Sequence, residues 1–197
     1  MTKTVEFFFD VGSPASYLAW TQLDAIAQRH DAKIIWRPML LGAVFQAVGN
    51  TSPAAVLAKG AYMLRDLKRF AKMYNVPFRF NPFFPLNTMQ LMRGATAYLE
   101  QPEFQAYITA VFNGIWAEKL NMESPEVIAD VLSKAGIDAT DFMNRIGQSE
   151  VKERLKAITE EAVTRGVFGA PSFFVNDEMF FGQDRLDFVD AALGDWQ

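Results

Sequence analysis

An α/β fold in two separated pieces, with a large all-helical insertion between them, is what the sequence predicts. Three observations carry this. Two short apolar runs near the N-terminus bracket a helical stretch; a helix, two short strands and a helix close the chain; and residues 40–148 between them show helical periodicity without a convincing strand. The predicted organisation is one discontinuous domain of residues 1–39 and 149–197, with a helical domain of residues 40–148 inserted in it.

The first strand is Val5-Glu6-Phe7-Phe8-Phe9, short and aromatic, stopped by the turn residues Asp10-Val11-Gly12-Ser13-Pro14. A helix follows, in which Ala19, Leu23, Ile26 and Ala27 recur at helical spacing and Pro14 suits the first turn. Lys33-Ile34-Ile35-Trp36-Arg37, closed by Pro38, is the second strand, and a right-handed parallel crossover should join it to the first. His30, the single histidine, falls just past the helix in Gln28-Arg29-His30-Asp31, where a solvated turn is expected.

In the insertion, Ser52-Pro53, Gln101-Pro102 and Ser124-Pro125 each place proline where a helix can begin, and Gly136 can end the helix opened at Ser124. Tyr107, Ile108, Val111, Phe112, Ile115 and Trp116 form a wide apolar stripe that reads as core or as a subunit interface. Near the C-terminus, Val151, Leu155, Ile158 and Ala162 mark a helical face that Gly166 can terminate. Ser172-Phe173-Phe174-Val175 and Glu178-Met179-Phe180-Phe181 then read as a hairpin turned at Asn176-Asp177, and Asp184 as the cap of a last helix.

Composition narrows the chemistry. The chain has 197 residues, 50% hydrophobic and 21% charged, and a formal net charge of −4, so it offers no basic footprint for nucleic acid or an anionic membrane surface. No apolar run approaches the ~20 residues that span a bilayer, and Met1-Thr2-Lys3 leads straight into strand-like sequence, so a cytoplasmic location is expected. The absence of cysteine removes disulfides and any protein thiol, and one histidine is too few for a histidine-based metal site, so no metal is expected. A helix N-terminus nevertheless favours a bound anion, and Ser13 stands at such an end with a hydroxyl to donate. Read by residue type alone, a helix cap is the preferred role for Ser13.

These segments together resemble a known family. FFFDVGSPASYLAW at 7–20, GNTSP at 49–53, AKGAYMLRDLKR at 58–69, FPLNTMQLMR at 84–93 and GVFGAPSFFVNDEMFFGQDRLDFV at 166–189 are similar to the 2-hydroxychromene-2-carboxylate isomerases. That family is related to the kappa-class glutathione transferases and more distantly to DsbA-like oxidoreductases. The resemblance implies a thioredoxin-like domain whose reactive position is the start of the first helix, here Ser13-Pro14-Ala15-Ser16, with hydroxyls in place of the Cys-x-x-Cys sulfurs. It implies a cis bond at Ala170-Pro171, facing that helix end. Ser13 is implied to hold the glutathione sulfur, Asn50 and Lys59 the tail of the tripeptide, Ala170 (through its backbone) the cysteinyl part, and Gln183 and Asp184 the γ-glutamyl end.

The implied reaction interconverts 2-hydroxychromene-2-carboxylate and trans-o-hydroxybenzylidenepyruvate in the breakdown of naphthalene-type aromatics, with glutathione as cofactor and a small aromatic carboxylate as substrate. Phe83, Phe84, Asn87, Thr88, Arg93 and Trp116 are candidates for the substrate pocket, Asn87 and Arg93 for its polar contacts. Relatives are commonly dimers, so a homodimer is expected, and the aromatic stripe offers one interface. Two further readings stay open at this point: a kappa-type transferase that consumes glutathione, and a thioredoxin-like binding module without catalysis. The same resemblance raises two questions, whether Gly12 loosens the turn before Ser13 and whether the long amide of Gln183 suits its place.

Overall fold

The computed structural model describes residues 2–194; residue 1 and residues 195–197, the two ends of the expected discontinuous domain, lie outside the described residues. Strand β1 (Thr4–Phe9), helix α1 (Pro14–Arg29) and strand β2 (Lys33–Pro38) form the expected parallel crossover. Strands β3 (Ser172–Val175) and β4 (Glu178–Phe181) add to the other side of β1, giving a mixed sheet in the order β2-β1-β3-β4, antiparallel from β1 to β3 and from β3 to β4. The β3–β4 turn has both Asn176 (φ 50°) and Asp177 (φ 67°) in the left-handed region, as a two-residue hairpin that follows strand twist requires.

Seven α-helices separate β2 from β3: α2 (Leu41–Val48), α3 (Leu57–Met73), α4 (Met89–Tyr98), α5 (Phe104–Trp116), α6 (Pro125–Lys134), α7 (Ala139–Gly147) and α8 (Ser149–Thr164), the last leading back to the sheet; α9 (Leu186–Leu193) ends the described chain. This is a thioredoxin-like fold with a helical insertion. The readable caps hold where their chemistry is local. Ser124 accepts the Val127 N–H at the start of α6, and Gly136 adopts φ 77° just past its end.

The pleat of β1 divides the interior. Val5, Phe7 and Phe9 face α1 and the insertion, with the Phe7 ring stacked on Phe173 at 5.2 Å. Phe8 faces α2 and α8, packing with Val44, Ile158 and Ala162. On the first face a single core runs from sheet to insertion: Phe112 of α5 lies 6.0 Å from Phe9 and stacks on Trp20 at 5.2 Å, while Phe104 meets Trp36 edge-on. The aromatic stripe of α5 is fully buried in this core, so it is not a subunit interface. Each of its large side chains contributes roughly 1.5–3 kcal/mol by leaving water.

Two local expectations are corrected. His30 does sit in the turn past α1 but is only partly solvated: its Nε2 lies 2.7 Å from Asp190 Oδ1, where it ties the end of α1 to α9. Asp184 does not cap the last helix, because residues 183–185 form a single 3₁₀ turn ahead of α9 and no side chain caps α9. A contact between residues so far apart in the chain leaves no local periodic trace, and a 3₁₀ turn displaces the helix start beyond the cap residue.

Candidate active site

The C-terminal end of β1 delivers the chain into the turn Asp10-Val11-Gly12-Ser13, and α1 begins at Pro14. Ser13 takes the extended conformation of an N-cap (φ −90°, ψ 116°), and its Oγ accepts the Ser16 N–H at 3.1 Å. The same hydroxyl donates to the Ala170 carbonyl at 3.1 Å. Capping and positioning are therefore one arrangement. Pro14 has no N–H to give, and among the described residues no hydrogen bond occupies the Ala15 N–H, so a donor and the positive end of a sixteen-residue helix face outward beside Ser13.

That helix end opens into a cleft of 580 Å³, within the usual range for small-molecule sites. It is lined by Asp10, Gly12, Ser13 and Ala15 of the turn and α1, by Asn50, Ser52 and Pro53 after α2, and by Phe84, Leu86 and Thr88 ahead of α4. Phe168, Ala170, Phe181, Gln183 and Asp184 complete the rim. The Ala170-Pro171 peptide is cis, and Pro171 lies buried, its carbonyl accepting the Gly182 N–H at 3.0 Å. The Ala170 N–H has no partner among the described residues, which leaves an extended-backbone donor at the rim.

The structure thus gathers Ser13, Asn50, Ala170, Gln183 and Asp184 around one cleft, with Pro171 beneath them. Lys59 is not brought in: it is exposed on the first turn of α3 and does not line the cleft. Asn50 is held by its amide, Nδ2 donating to the Phe168 carbonyl at 2.9 Å and Oδ1 accepting the Thr51 N–H. Gln183 is buried and its carbonyl accepts from the Tyr74 hydroxyl at 2.8 Å; burial first, then the nearby Asp187 and Asp184 charges, push that phenol up to about 12. Asp184 is exposed and pairs with Arg185.

Of the aromatic-pocket candidates, Phe84 and Thr88 line the cleft, and Phe83, Asn87, Arg93 and Trp116 do not. Trp116 is fully buried with Nε1 donating to the Val11 carbonyl at 2.8 Å, and Asn87, just ahead of α4, is taken up by accepting the Met89 N–H. The segment that carries Phe84 and Thr88 is fastened by Asn81, a buried amide whose Nδ2 donates to the Ile115 and Leu120 carbonyls and whose Oδ1 accepts the Phe83 N–H. Sequence reading passed over Asn81, and an Asn-Pro pair in a loop was the only signal it gave.

Electrostatically the cleft is unusual for one that would take anions. Asp10, Asp66 and Asp184 line it, and among the described residues no lysine, arginine or histidine does. Asp66 is offset by Arg69 at 3.3 Å and Asp184 by Arg185. Asp10 has only neutral partners, the Gly12 and Leu41 N–H groups at 2.9 Å and the Thr88 side chain, and burial raises its pKa against those hydrogen bonds. Attraction for a thiolate or carboxylate there falls to the α1 terminus, the Ser13 hydroxyl and free amides.

A family model described as a DSBA-like thioredoxin domain matches residues 4–194. The chain is 33% identical over 198 residues to 2-hydroxychromene-2-carboxylate isomerase of Sphingobium xenophagum, covering 99% of this chain and 100% of that one. It is 29% identical over 207 residues to glutathione S-transferase kappa 1 of Rattus norvegicus, covering 98% and 92%. A solved structure of selenomethionyl 2-hydroxychromene-2-carboxylate isomerase matches with a TM-score of 0.88 at 32% identity, over 98% of this chain and 95% of that one. A probable DsbA oxidoreductase from Streptomyces coelicolor matches with a TM-score of 0.78 at 17% identity, over 98% and 89%, a likeness of fold alone. A sheet, a helix end and a rim strand arranged as described, matched over nearly the whole length, place the chain in the DsbA-like thioredoxin family, in the group that joins the 2-hydroxychromene-2-carboxylate isomerases to the kappa-class glutathione transferases.

Proposed function

We propose that the protein is a glutathione-dependent isomerase of 2-hydroxychromene-2-carboxylate or a closely similar aromatic keto acid. The observation that carries this reading is Ser13: in a chain without cysteine, its hydroxyl caps α1 and faces Ala170 across the cleft where thioredoxin-like enzymes keep a sulfur.

The residues present fit the tripeptide. Its cysteinyl backbone can pair with the free Ala170 N–H and its ammonium can meet Asp184, both of which line the same cleft as Ser13 and Asn50. When bound, glutathione supplies a thiolate able to add reversibly to a conjugated carbon–carbon double bond, which becomes single, rotates and re-forms. Ser13 is the donor that turns from Ala170 to the sulfur. The Ala15 N–H and the α1 dipole favour the sulfur's ionised form, since helix N-termini lower thiol pKa from ~8.5 into the range of about 3.5–7.5. Phe84, Phe168 and Phe181 supply flat apolar walls for an aromatic ring.

The test follows the ultraviolet change of 2-hydroxychromene-2-carboxylate with and without glutathione, for wild type and Ser13→Ala, while free thiol is titrated. Turnover that needs glutathione, falls in Ser13→Ala and leaves the thiol undiminished is the expected result. Stoichiometric loss of thiol to electrophiles, with the chromene untouched, would make the protein a transferase; failure to bind glutathione would remove both readings.

A further inference from the structure

The turn that presents Ser13 is hydrogen-bonded both within itself and to the insertion. The Asp10 carbonyl accepts the Ser13 N–H at 2.9 Å and Asp10 Oδ1 accepts the Gly12 N–H at 2.9 Å, closing the turn on itself. Val11 gives its N–H to the sulfur of Met92 on α4 and its carbonyl to the Trp116 indole of α5. Thr88, at the start of α4, sets its side chain beside the Asp10 carboxylate, where it favours the ionised form against burial. Its methyl sits so close to Gly12 that a Cβ there would lie 2.7 Å from Thr88 Cγ2.

Asp10 joins more than the turn. Its second oxygen accepts the Leu41 N–H at 2.9 Å, the first residue of α2, so one buried carboxylate links the β1–α1 turn, the α2 wall and the α4 wall of the cleft. It is 3% exposed and Thr88 9%, and no cation neutralises it among the described residues. A buried carboxylate without an ion pair is costly, and hydrogen bonds from its own turn and from α2, with the Thr88 side chain beside them, are what hold it. Nothing in the fold requires that cost away from the cleft, where Asp10 is itself a lining residue.

Building on the glutathione reading above, we infer that Asp10 and Thr88 are a positioning pair: Thr88 orients the Asp10 carboxylate, which fixes the Gly12-Ser13 turn and the α2 wall so that the Ser13 hydroxyl meets the sulfur at the right distance. Neither residue has to touch the reacting atoms. Small displacements of a catalytic group are expensive, with a shift of about 1 Å costing up to about 100-fold in rate.

The test compares wild type with Asp10→Asn, Thr88→Val and Thr88→Ser in two measurements. The first is amide hydrogen exchange at Gly12, Ser13 and Leu41 in the protein without glutathione. The second is the steady-state rate, with kcat and the KM for glutathione separated. Faster exchange at those three amides in Asp10→Asn and Thr88→Val is expected, with kcat down about tenfold and KM within about twofold. Thr88→Ser, which keeps the hydroxyl, should recover most of the kcat that Thr88→Val loses. Exchange unchanged in both variants, or kcat within twofold despite faster exchange, overturns the inference. If wild type binds no glutathione while the exchange pattern appears as expected, the positioning of the turn stands and the glutathione reading fails instead.

Discussion

The Ser13 hydroxyl donates across the cleft to the Ala170 carbonyl at 3.1 Å, joining residues 157 positions apart in the chain. One proton serves that bond, and a bound sulfur would compete for it. Ser13→Ala should lower the folding free energy by about 0.5–2 kcal/mol through loss of the α1 cap. It should also cut turnover by about 10–100-fold, the worth of a hydrogen bond to a charged acceptor. Ser13→Gly separates the two effects: glycine keeps the cap to within a few tenths of a kcal/mol, so denaturant unfolding should stay nearer wild type than in Ser13→Ala, while turnover falls as far because the donor to the proposed thiolate is gone.

Ser16 behaves differently. Its hydroxyl is fully buried without a hydrogen-bond partner and does not line the cleft. Ser16→Ala should leave activity unchanged and alter stability by no more than about 1 kcal/mol, in the stabilising direction, because an unpaired buried hydroxyl is removed and a better helix former introduced. A loss of turnover in this variant would show that the second hydroxyl of the Ser-x-x-Ser pair has a chemical role after all.

Gly12 does not loosen the turn; Thr88 is packed against it. Gly12→Ala should destabilise by about 1–3 kcal/mol, as overpacking does. Combined with Thr88→Ser, which removes the offending methyl, it should cost less than the sum of the two single changes. Thermal or denaturant unfolding of the four proteins in this cycle measures that difference.

Acid sensitivity should centre on Glu6, on the far side of the sheet. Burial tends to raise its pKa, but hydrogen bonds from Arg165 and Arg37 and their charges outweigh that and hold it below the usual carboxylate value. A folded-state pKa below the unfolded one stabilises the protein above the unfolded pKa, and that contribution disappears as pH falls through the folded value. Glu6→Gln should therefore be less stable than wild type at neutral pH by about 1–3 kcal/mol and converge on it in acid. Urea unfolding at a series of pH values gives the comparison.

Local signals made much of this molecule legible. Aromatic strands ending in turn residues, Ser-Pro helix starts and the Asn176-Asp177 hairpin are encoded within a few residues of where they act. So is Ser13, because an N-cap is defined by its own neighbours. The supports of the site are not. Asp10 reads as a turn residue in the sequence; its bond to Leu41 and its place beside Thr88, and the bonds of Val11 to Met92 and Trp116, link segments whose proximity only the packed insertion creates. The α5 stripe could be assigned to core over interface only once Phe112 was seen between Phe9 and Trp20.

The absence of lysine, arginine and histidine among the described residues that line the cleft governs how molecules arrive there. Amides and a helix end act over the length of a turn, whereas a formal charge reaches across a Debye length of about 8–10 Å. With Asp66 and Asp184 offset by Arg69 and Arg185, Asp10 buried and a formal net charge of −4, the proposed anionic aromatic acid would meet no net attraction from solution. Encounter is left to diffusion and to the apolar ring, so the capture rate should gain nothing from low ionic strength, in contrast to enzymes that guide their substrates by charge.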